Sequence, residues 1–157
     1  MAALKRHVVE GDDRTATVGA LQACLTDLID LALQGKQAHW NVVGPNFRSI
    51  HLQLDEIIDQ TRIASDIVAE RIVTLADPAD GRAAIVAEKS RLSPYPAGLQ
   101  SVSDTVTLIA DRLKQTIDGL REAIGTVGEI DPISEDILIA QSGELEKFLW
   151  MVQAQEA

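Results

Sequence analysis

The sequence predicts an all-α protein: a four-helix bundle with a short extra helix in the long connection between its second and third helices. Apolar residues recur every three or four positions through four long segments, which is the period of a helix with one buried face. Aromatic residues make up only 3% of the 157 residues, and the abundant alanine, leucine, isoleucine and valine favour helices over sheets in stretches of this length. We expect one domain over residues 1–157, because a chain of this size can bury a core unaided.

The first predicted helix runs from about Thr15 to Val42, after a short N-terminal tail of residues 1–14. It ends before Gly44-Pro45, because proline lacks an amide hydrogen and disfavours helix in the residue before it. Asn46 is a suitable N-cap for the second helix, which continues to about Ala76. The core positions predicted on these helices are Leu21, Leu25, Leu28 and Ala32, then Phe47, Ile50, Leu54, Ile57 and Ile58.

Asp77-Pro78 ends the second helix, and the connection to about Gln100 is too long for a tight turn. Its middle, RAAIVAEK, is predicted to form the short extra helix. The third long helix spans about Ser101–Gly125 and includes Gly119, which costs about 1 kcal/mol against alanine in a helix interior. The fourth opens at Asp131-Pro132, with proline at its first position. The core positions on these two helices are Val102, Val106, Ile109, Leu113, Ile117, Leu120 and Ile124, then Ile133, Ile137, Leu145, Phe148, Leu149 and Val152.

The chain is acidic, with a net charge of −10. Such a surface repels nucleic-acid phosphate and concentrates cations. The single cysteine, Cys24, excludes an internal disulfide and falls on an apolar stripe, so we expect a buried thiol in a reducing compartment. The first residues contain no apolar signal-peptide core, and no stretch approaches the roughly 18 uninterrupted apolar residues of a membrane span. We therefore expect a cytoplasmic protein that does not enter a membrane.

The second predicted helix carries two pairs of potential metal ligands. His51 and Asp55 are four residues apart, and so are Asp66 and Glu70, so each pair shares one helix face. The step from Asp55 to Asp66 is about three turns, which leaves both pairs on nearly the same face but about 16 Å apart. Ligands lie about 2–2.5 Å from an ion, so one helix cannot use both pairs. A two-fold axis near residues 60 and 61 would lay the helix antiparallel on its copy and bring His51/Asp55 of one chain against Asp66/Glu70 of the other.

Further residues join this set. His39, near the end of the first helix, completes a group of two histidines and three carboxylates, and a contact between Asp59 and Arg62 across the axis would support the pairing. Imidazole and carboxylate ligands without thiolate suit iron, manganese or zinc, so iron redox chemistry and zinc-dependent hydrolysis are both compatible with the pattern. The chain contains no Glu-x-x-His sequence, which excludes the di-iron centre that other bundles hold within one chain.

The run KQAHWNVVGPNF, with His51 and Asp55 and then Asp66 and Glu70-Arg71 after it, resembles the Dps family, the mini-ferritins named as DNA-binding proteins from starved cells. The segments SPYPAG and ISEDILIAQSGELEKFLWMV are also similar to the family's, so the resemblance covers nearly the whole chain. It implies a ferritin-like bundle in which His39, His51 and Asp55 of one subunit bind iron, and Asp66 and Glu70 of the two-fold mate complete the site. It also implies a hollow twelve-subunit shell that oxidises Fe(II), preferably with hydrogen peroxide, and stores ferric mineral.

The resemblance implies roles for other residues as well. Trp40 matches a tryptophan beside the iron centre that stray radicals can oxidise, although a core aromatic is an equally good interpretation, and Lys36 matches a lysine next to the same site. Asp131, Glu135 and Asp136 are candidates for lining the three-fold pore that admits iron. Asp136 is the best placed, because EDILIA around it matches the family pattern. Acidic residues in a first helical turn are also favoured by the helix dipole alone.

Two other functions are compatible with the sequence. DNA compaction, the family's second activity, generally depends on mobile basic tails that exchange counterions with phosphate. Here Lys5, Arg6 and Arg14 are offset by Glu10, Asp12 and Asp13, and the C-terminal VQAQEA has no basic residue, so we expect weak DNA binding or none. A metal-dependent hydrolase is the other alternative, but nothing in the sequence marks a pocket for an organic substrate.

Overall fold

The computed structural model describes residues 4–156, so residues 1–3 of the predicted tail and residue 157 lie outside it. Its elements are α1 (Gly11–Asn41), β1 (Val42–Val43), α2 (Phe47–Thr74), α3 (Ala83–Lys89), β2 (Gln100–Ser101), α4 (Val102–Val127) and α5 (Pro132–Gln153). Helix α1 packs chiefly against α2, and α4 against α5, while contacts of α1 with α4 and of α2 with α5 close the bundle. The predicted four-helix bundle, with its short extra helix in the long connection, is confirmed.

The apolar stripes of the four long helices meet in one continuous core. Most of the predicted core positions are buried there, and four are half-buried: Val102, Ile124, Ile137 and Leu149. Two are exposed: Phe47 is 41% exposed and Ile133 is 60% exposed. Both lie in the first turn of their helices. Apolar spacing identifies the inward face of a helix, but it does not show whether a neighbouring helix extends far enough to cover the first turn.

Helix α1 begins at Gly11, so residues 11–14 are helical, whereas they were predicted to belong to the tail. Asp12 and Asp13 lie in the first turn, where the positive end of the helix dipole favours carboxylates. Arg14 forms an ion pair with Asp77 at 2.8 Å, which ties this turn to the end of α2. The helix therefore starts one turn earlier than its apolar stripe.

A two-residue parallel pairing joins the end of α1 to the start of α4. Val42 is opposite Gln100, and Val43 is opposite Ser101. This pairing was not predicted, because two residues are too few to show the alternation that identifies a strand. It fixes the end of the long connection beside the Gly44-Pro45 turn.

Helix α1 is the one helix of residues 4–156 that is long and apolar enough to resemble a membrane span, with a mean hydropathy of 1.4 over its most apolar 18 residues. Half of that window is buried inside the bundle. The helix also carries Asp27, which is 1% exposed and forms an ion pair with Arg91 at 2.7 Å. These are the properties of a core helix.

Asp27 also holds the long connection against the bundle. Its carboxylate accepts hydrogen bonds from the backbone nitrogen of Arg91 at 2.9 Å and from Nε at 2.8 Å. Gly119 on α4 lies directly beside this pair, and a Cβ there would collide with the Arg91 guanidinium and lie 3.1 Å from Asp27 Oδ2. The glycine that weakens α4 locally is therefore the residue that leaves room for the ion pair.

Cys24 lies next to the same cluster. Its side chain is 1% exposed, and its Sγ donates a long hydrogen bond of 3.7 Å to the carbonyl oxygen of Gly119. Burial raises the pKa of the Cys24 thiol to about 12, so the thiol stays protonated at neutral pH. The expected buried cysteine is confirmed.

We expect Gly119→Ala to lower the free energy of unfolding by about 1–3 kcal/mol, because the added methyl group overpacks a site whose neighbour is fixed by three bonds to Asp27. Gly125→Ala in the same helix is the matched control, since a Cβ there meets no atom within 4 Å. The control should be neutral or stabilising by up to about 1 kcal/mol. Chemical denaturation of both variants checks this, and equal stabilisation by the two alanines would show that the Arg91 contact does not restrict position 119.

Candidate metal centre

The end of α1 and the first turns of α2 bring three potential ligands together. His39 lies on the last turn of α1, and His51 and Asp55 lie on successive turns of α2. One ligand atom from each residue can be chosen so that all three lie within 4.8 Å of one another. His39 is 8% exposed, while His51 and Asp55 are half-buried, so the cluster lies at the edge of the core with one side open.

The two histidines orient each other through the backbone. Nδ1 of His39 is 3.0 Å from the carbonyl oxygen of His51, and Nδ1 of His51 is 3.0 Å from the carbonyl oxygen of His39. A carbonyl oxygen only accepts, so each Nδ1 carries a proton, and in a neutral ring of this tautomer the lone pair is on Nε2. The rings stack with centroids 3.7 Å apart and planes 23° apart. This is the usual arrangement of ligating histidines, in which the second nitrogen donates to a carbonyl and fixes the ring.

Phe47 closes one side of the cluster. Its ring centroid is 5.0 Å from that of His51, with 36° between the planes. Phe47 is the first residue of α2. Its spacing in the apolar stripe predicts a core position and does not reveal its contact with a ligand. An aromatic residue four positions before a histidine on one helix is the signal that indicates this contact.

Lys36 forms an ion pair with Asp55, whose Oδ1 lies 2.5 Å from the lysine Nζ. This hydrogen bond, assisted by the nearby histidines, lowers the pKa of the Asp55 carboxyl below its usual value. The carboxylate is therefore ionised at neutral pH, as a metal ligand must be. A cation bound by Asp55 would share this carboxylate with the lysine.

Asp66 and Glu70 do not join this cluster. Helix α2 is continuous from Phe47 to Thr74, so Asp66 lies about 16 Å along the axis from Asp55. Both carboxylates are exposed, and neither makes a hydrogen bond or ion pair with another side chain of residues 4–156. The structure thus separates the predicted ligands into a group of three and a pair that points outward.

Comparison with known proteins identifies the family. Residues 18–156 match the family model of the ferritin-like domain. The chain is 34% identical over 156 residues to a DNA protection during starvation protein of Agrobacterium fabrum, covering 96% of each chain. The structure matches that of Dps from Microbacterium arborescens in the high iron form with a TM-score of 0.90 and 31% identity, over 96% of this chain and 98% of the other. The chain belongs to the Dps family.

The resemblance inferred from the ligand run is therefore confirmed, and the general role of Dps proteins is iron storage and DNA protection. A further relative is the fine tangled pili major subunit of Haemophilus ducreyi, which is 40% identical over 135 residues, covering 86% of this chain and 71% of that protein. This chain is thus similar to proteins that carry different names.

In this Dps chain Trp40 is 70% exposed, so it is not a core aromatic of its own subunit. It lines a shallow cleft of about 310 Å³ together with Lys36, Arg62 and Ser65. Leu33, which is 59% exposed, lines the same cleft. The outer surface beside the ligand cluster is therefore apolar with basic groups at its edge.

The structure places Asp131, one of the three residues predicted to line a pore, in an ion pair within its own chain. Asp131 is 5% exposed and forms an ion pair with Arg71 at 2.7 Å, so its carboxylate links the start of α5 to the end of α2. Burial raises the pKa of Asp131, but hydrogen bonds from Ser134 and Arg71 outweigh burial and lower it overall. Glu135 is half-buried and Asp136 is exposed. Only the exposed position is free to face a channel without rearrangement.

Proposed function

We propose that this Dps protein is a ferroxidase that oxidises Fe(II) at a site shared by two subunits and stores the ferric product inside a hollow dodecamer. The observation that carries the proposal is the divided ligand set. His39, His51 and Asp55 converge within one chain, while Asp66 and Glu70 lie on the same helix out of reach. An antiparallel copy of α2, related by an axis between residues 60 and 61, brings the second pair to the first.

The residues of the half-site support iron chemistry in particular. Two imidazole nitrogens and a carboxylate, with no thiolate, suit Fe(II) and leave positions open for water or an oxidant. We propose hydrogen peroxide as the preferred oxidant. Each peroxide accepts one electron from each of two Fe(II) ions and, with two protons, becomes two water molecules, so no hydroxyl radical is released. The adjoining cleft beside Trp40 is lined by none of the three ligands, so the ligand cluster does not open into that cleft as the metal site of a hydrolase would open into its substrate pocket.

Further parts of the proposal concern iron access, location and DNA. Asp136, which is exposed, is the better candidate for the three-fold pore, with half-buried Glu135 beside it. The buried, protonated Cys24 is compatible with a reducing cytoplasm. Arg14 is already paired with Asp77, which leaves fewer basic groups to contact phosphate. DNA protection by this protein would then act through removal of iron and peroxide, without tight DNA binding.

The proposal is tested by the rate of Fe(II) oxidation with peroxide. We expect His51→Ala and Glu70→Ala each to slow oxidation at least tenfold while the helical content stays unchanged, because removing even groups that support a metal ligand costs about 10–100-fold. Asp111→Ala is the control, since Asp111 is exposed on α4 and forms no ion pair within the described chain. A parental rate in either ligand variant removes that residue from the site.

A further inference from the structure

Two charged side chains near the centre of α2 have no partner within the described part of the chain. Asp59 and Arg62 are both exposed, and neither side chain makes an ion pair or hydrogen bond with residues 4–156. Arg71, Arg91 and Arg121, in contrast, each pair with a carboxylate of their own chain. Asp59 and Arg62 are therefore available to a partner outside the subunit.

Both residues lie on the face of α2 that carries the ligands. Successive residues of a helix are about 100° apart around its axis. By this measure six residues of α2 fall within an arc of about 100°: His51, Asp55, Asp59, Arg62, Asp66 and Glu70. The opposite side of the helix packs into the bundle through Ile50, Leu54, Ile57, Ile58, Thr61, Ala64, Val68 and Ile72. The face of α2 turned away from its own bundle thus holds both ligand pairs at its ends and both charges at its middle.

The two-fold arrangement determines which of these residues meet. An axis between residues 60 and 61 that places His51 opposite Glu70, and Asp55 opposite Asp66, must also place Asp59 opposite Arg62. Since a two-fold interface uses the same surface on both subunits, the contact occurs twice. The two contacts bring opposite charges together on either side of the axis.

The two neighbouring registers pair these charges less completely. A slip of one turn that brings Asp59 opposite Asp66 also brings Asp55 opposite Glu70, so both contacts join like charges. A slip of one turn the other way brings Arg62 opposite Asp55 but leaves Asp59 opposite Ile58, which is fully buried in its own bundle. Of these three registers, the one that joins both halves of the site is the one in which Asp59 and Arg62 each meet an opposite charge, and there Asp55 and Asp66 face each other where a cation would lie between them.

The exposed apolar side chains near Asp59 and Arg62 are suited to burial against a second copy of this chain. On the same side of α2, Leu52 is 44% exposed, Ile63 is 53% exposed and Val73 is 46% exposed, and Leu33 and Trp40 extend the apolar surface onto α1. Apolar groups around a charged pair exclude water and strengthen the attraction between the charges.

We propose that Asp59 and Arg62 form reciprocal ion pairs across the two-fold axis and set the register that joins the two halves of the metal site. They act as positioning residues and do not bind iron. This inference rests on the shared site proposed above, and it adds the contact that selects one antiparallel alignment of α2 among several.

Charge reversal tests the pairing. Asp59→Arg places two arginines opposite each other twice in a homodimer, and Arg62→Asp places two aspartates opposite each other twice. A mixed pair of the two variants restores both contacts with opposite charges. At low ionic strength we expect each variant alone to associate at least about tenfold more weakly than the parent, as measured by sedimentation velocity, and the co-expressed mixture to assemble like the parent. The defect of each variant should shrink as salt is added.

The controls separate this pairing from general effects of charge. Asp111→Arg on α4 raises the net charge as Asp59→Arg does and should assemble normally. Circular dichroism should show parental helix content in every variant. Parental assembly of either variant alone, or failure of the mixture to assemble, overturns the pairing. The shared site has its own test, in which ligand variants complement each other, so recovery there with failure here would reject the Asp59–Arg62 contact and leave the proposed function intact.

Discussion

Shells built from two inactive variants are expected to regain about a quarter of the parental oxidation sites. One variant carries His51→Ala and Asp55→Ala, and the other carries Asp66→Ala and Glu70→Ala, so each lacks one half of the site. In a mixed pair, one site combines both damaged halves and the other combines both intact halves. Random assembly makes half of the pairs mixed, and each mixed pair has one intact site of two, which gives the fraction of about a quarter.

The matched control mixes two variants damaged in the same half. A His51→Ala chain with an Asp55→Ala chain cannot produce an intact site in any two-fold pair, so the activity of this mixture should not exceed that of its components. Both mixtures are compared by the initial rate of Fe(II) oxidation, after tagged subunits have shown that mixed shells form. If the first mixture gains nothing despite proven mixing, the iron site does not lie between the subunits.

Loss of the Asp131 carboxylate is expected to cost about 3–5 kcal/mol, because it leaves the Arg71 guanidinium buried without a counter-charge. The side chains of Arg71 and Asp131 are 10% and 6% exposed, and Ser134 Oγ accepts a second hydrogen bond from Arg71 at 2.9 Å. For a chain of this size, Asp131→Ala should lower the Tm by about 6–20 °C at fixed protein concentration. Asp136→Ala, an exposed position on the same helix, should change stability by no more than about 0.5 kcal/mol.

The same ion pair gives a pH dependence with a definite sign. The folded state lowers the pKa of Asp131, so its contribution to stability is complete above the unfolded-state pKa of about 3.9 and is lost as the pH falls through the folded-state value. The Tm difference between the parent and Asp131→Ala should therefore be constant from neutral pH to about pH 5 and shrink only in acid. A Tm difference within 2 °C at neutral pH would show that Arg71 finds another partner.

The bundle could be predicted because long apolar stripes repeat the helical period, and because proline and glycine mark where three of the four long helices begin or end. The errors lie where local spacing carries no information about neighbours. Phe47 and Ile133 fit the stripe but lie exposed in the first turns of their helices, and the pairing of Val42–Val43 with Gln100–Ser101 joins segments far apart in sequence.

The candidate site was predictable for a different reason. His51, Asp55, Asp66 and Glu70 lie on one helix, so helix geometry alone fixes their relative positions. Helix geometry does not predict contacts between different elements. The ion pairs of Arg71 with Asp131, and of Arg91 with Asp27 beside Gly119, join residues that do not share a helix, so no repeating sequence pattern relates them. For this reason the sequence alone predicts neither the ion pair of Asp131 nor the room that Gly119 leaves for Arg91.

The two hydrogen bonds between the His39 and His51 rings and each other's backbone carbonyl groups make the position of these ligands depend on how α1 is aligned with α2. Each imidazole is held by the backbone of the opposite helix, so sliding one helix past the other by a single residue, about 1.5 Å, distorts both bonds together. Any ion held by the two rings would then resist that sliding, and binding at the rim of the bundle would stiffen the pair of helices along its length. Metal binding and subunit stability would in this way be coupled, because each occupied half-site would hold α1 and α2 of its own subunit in alignment.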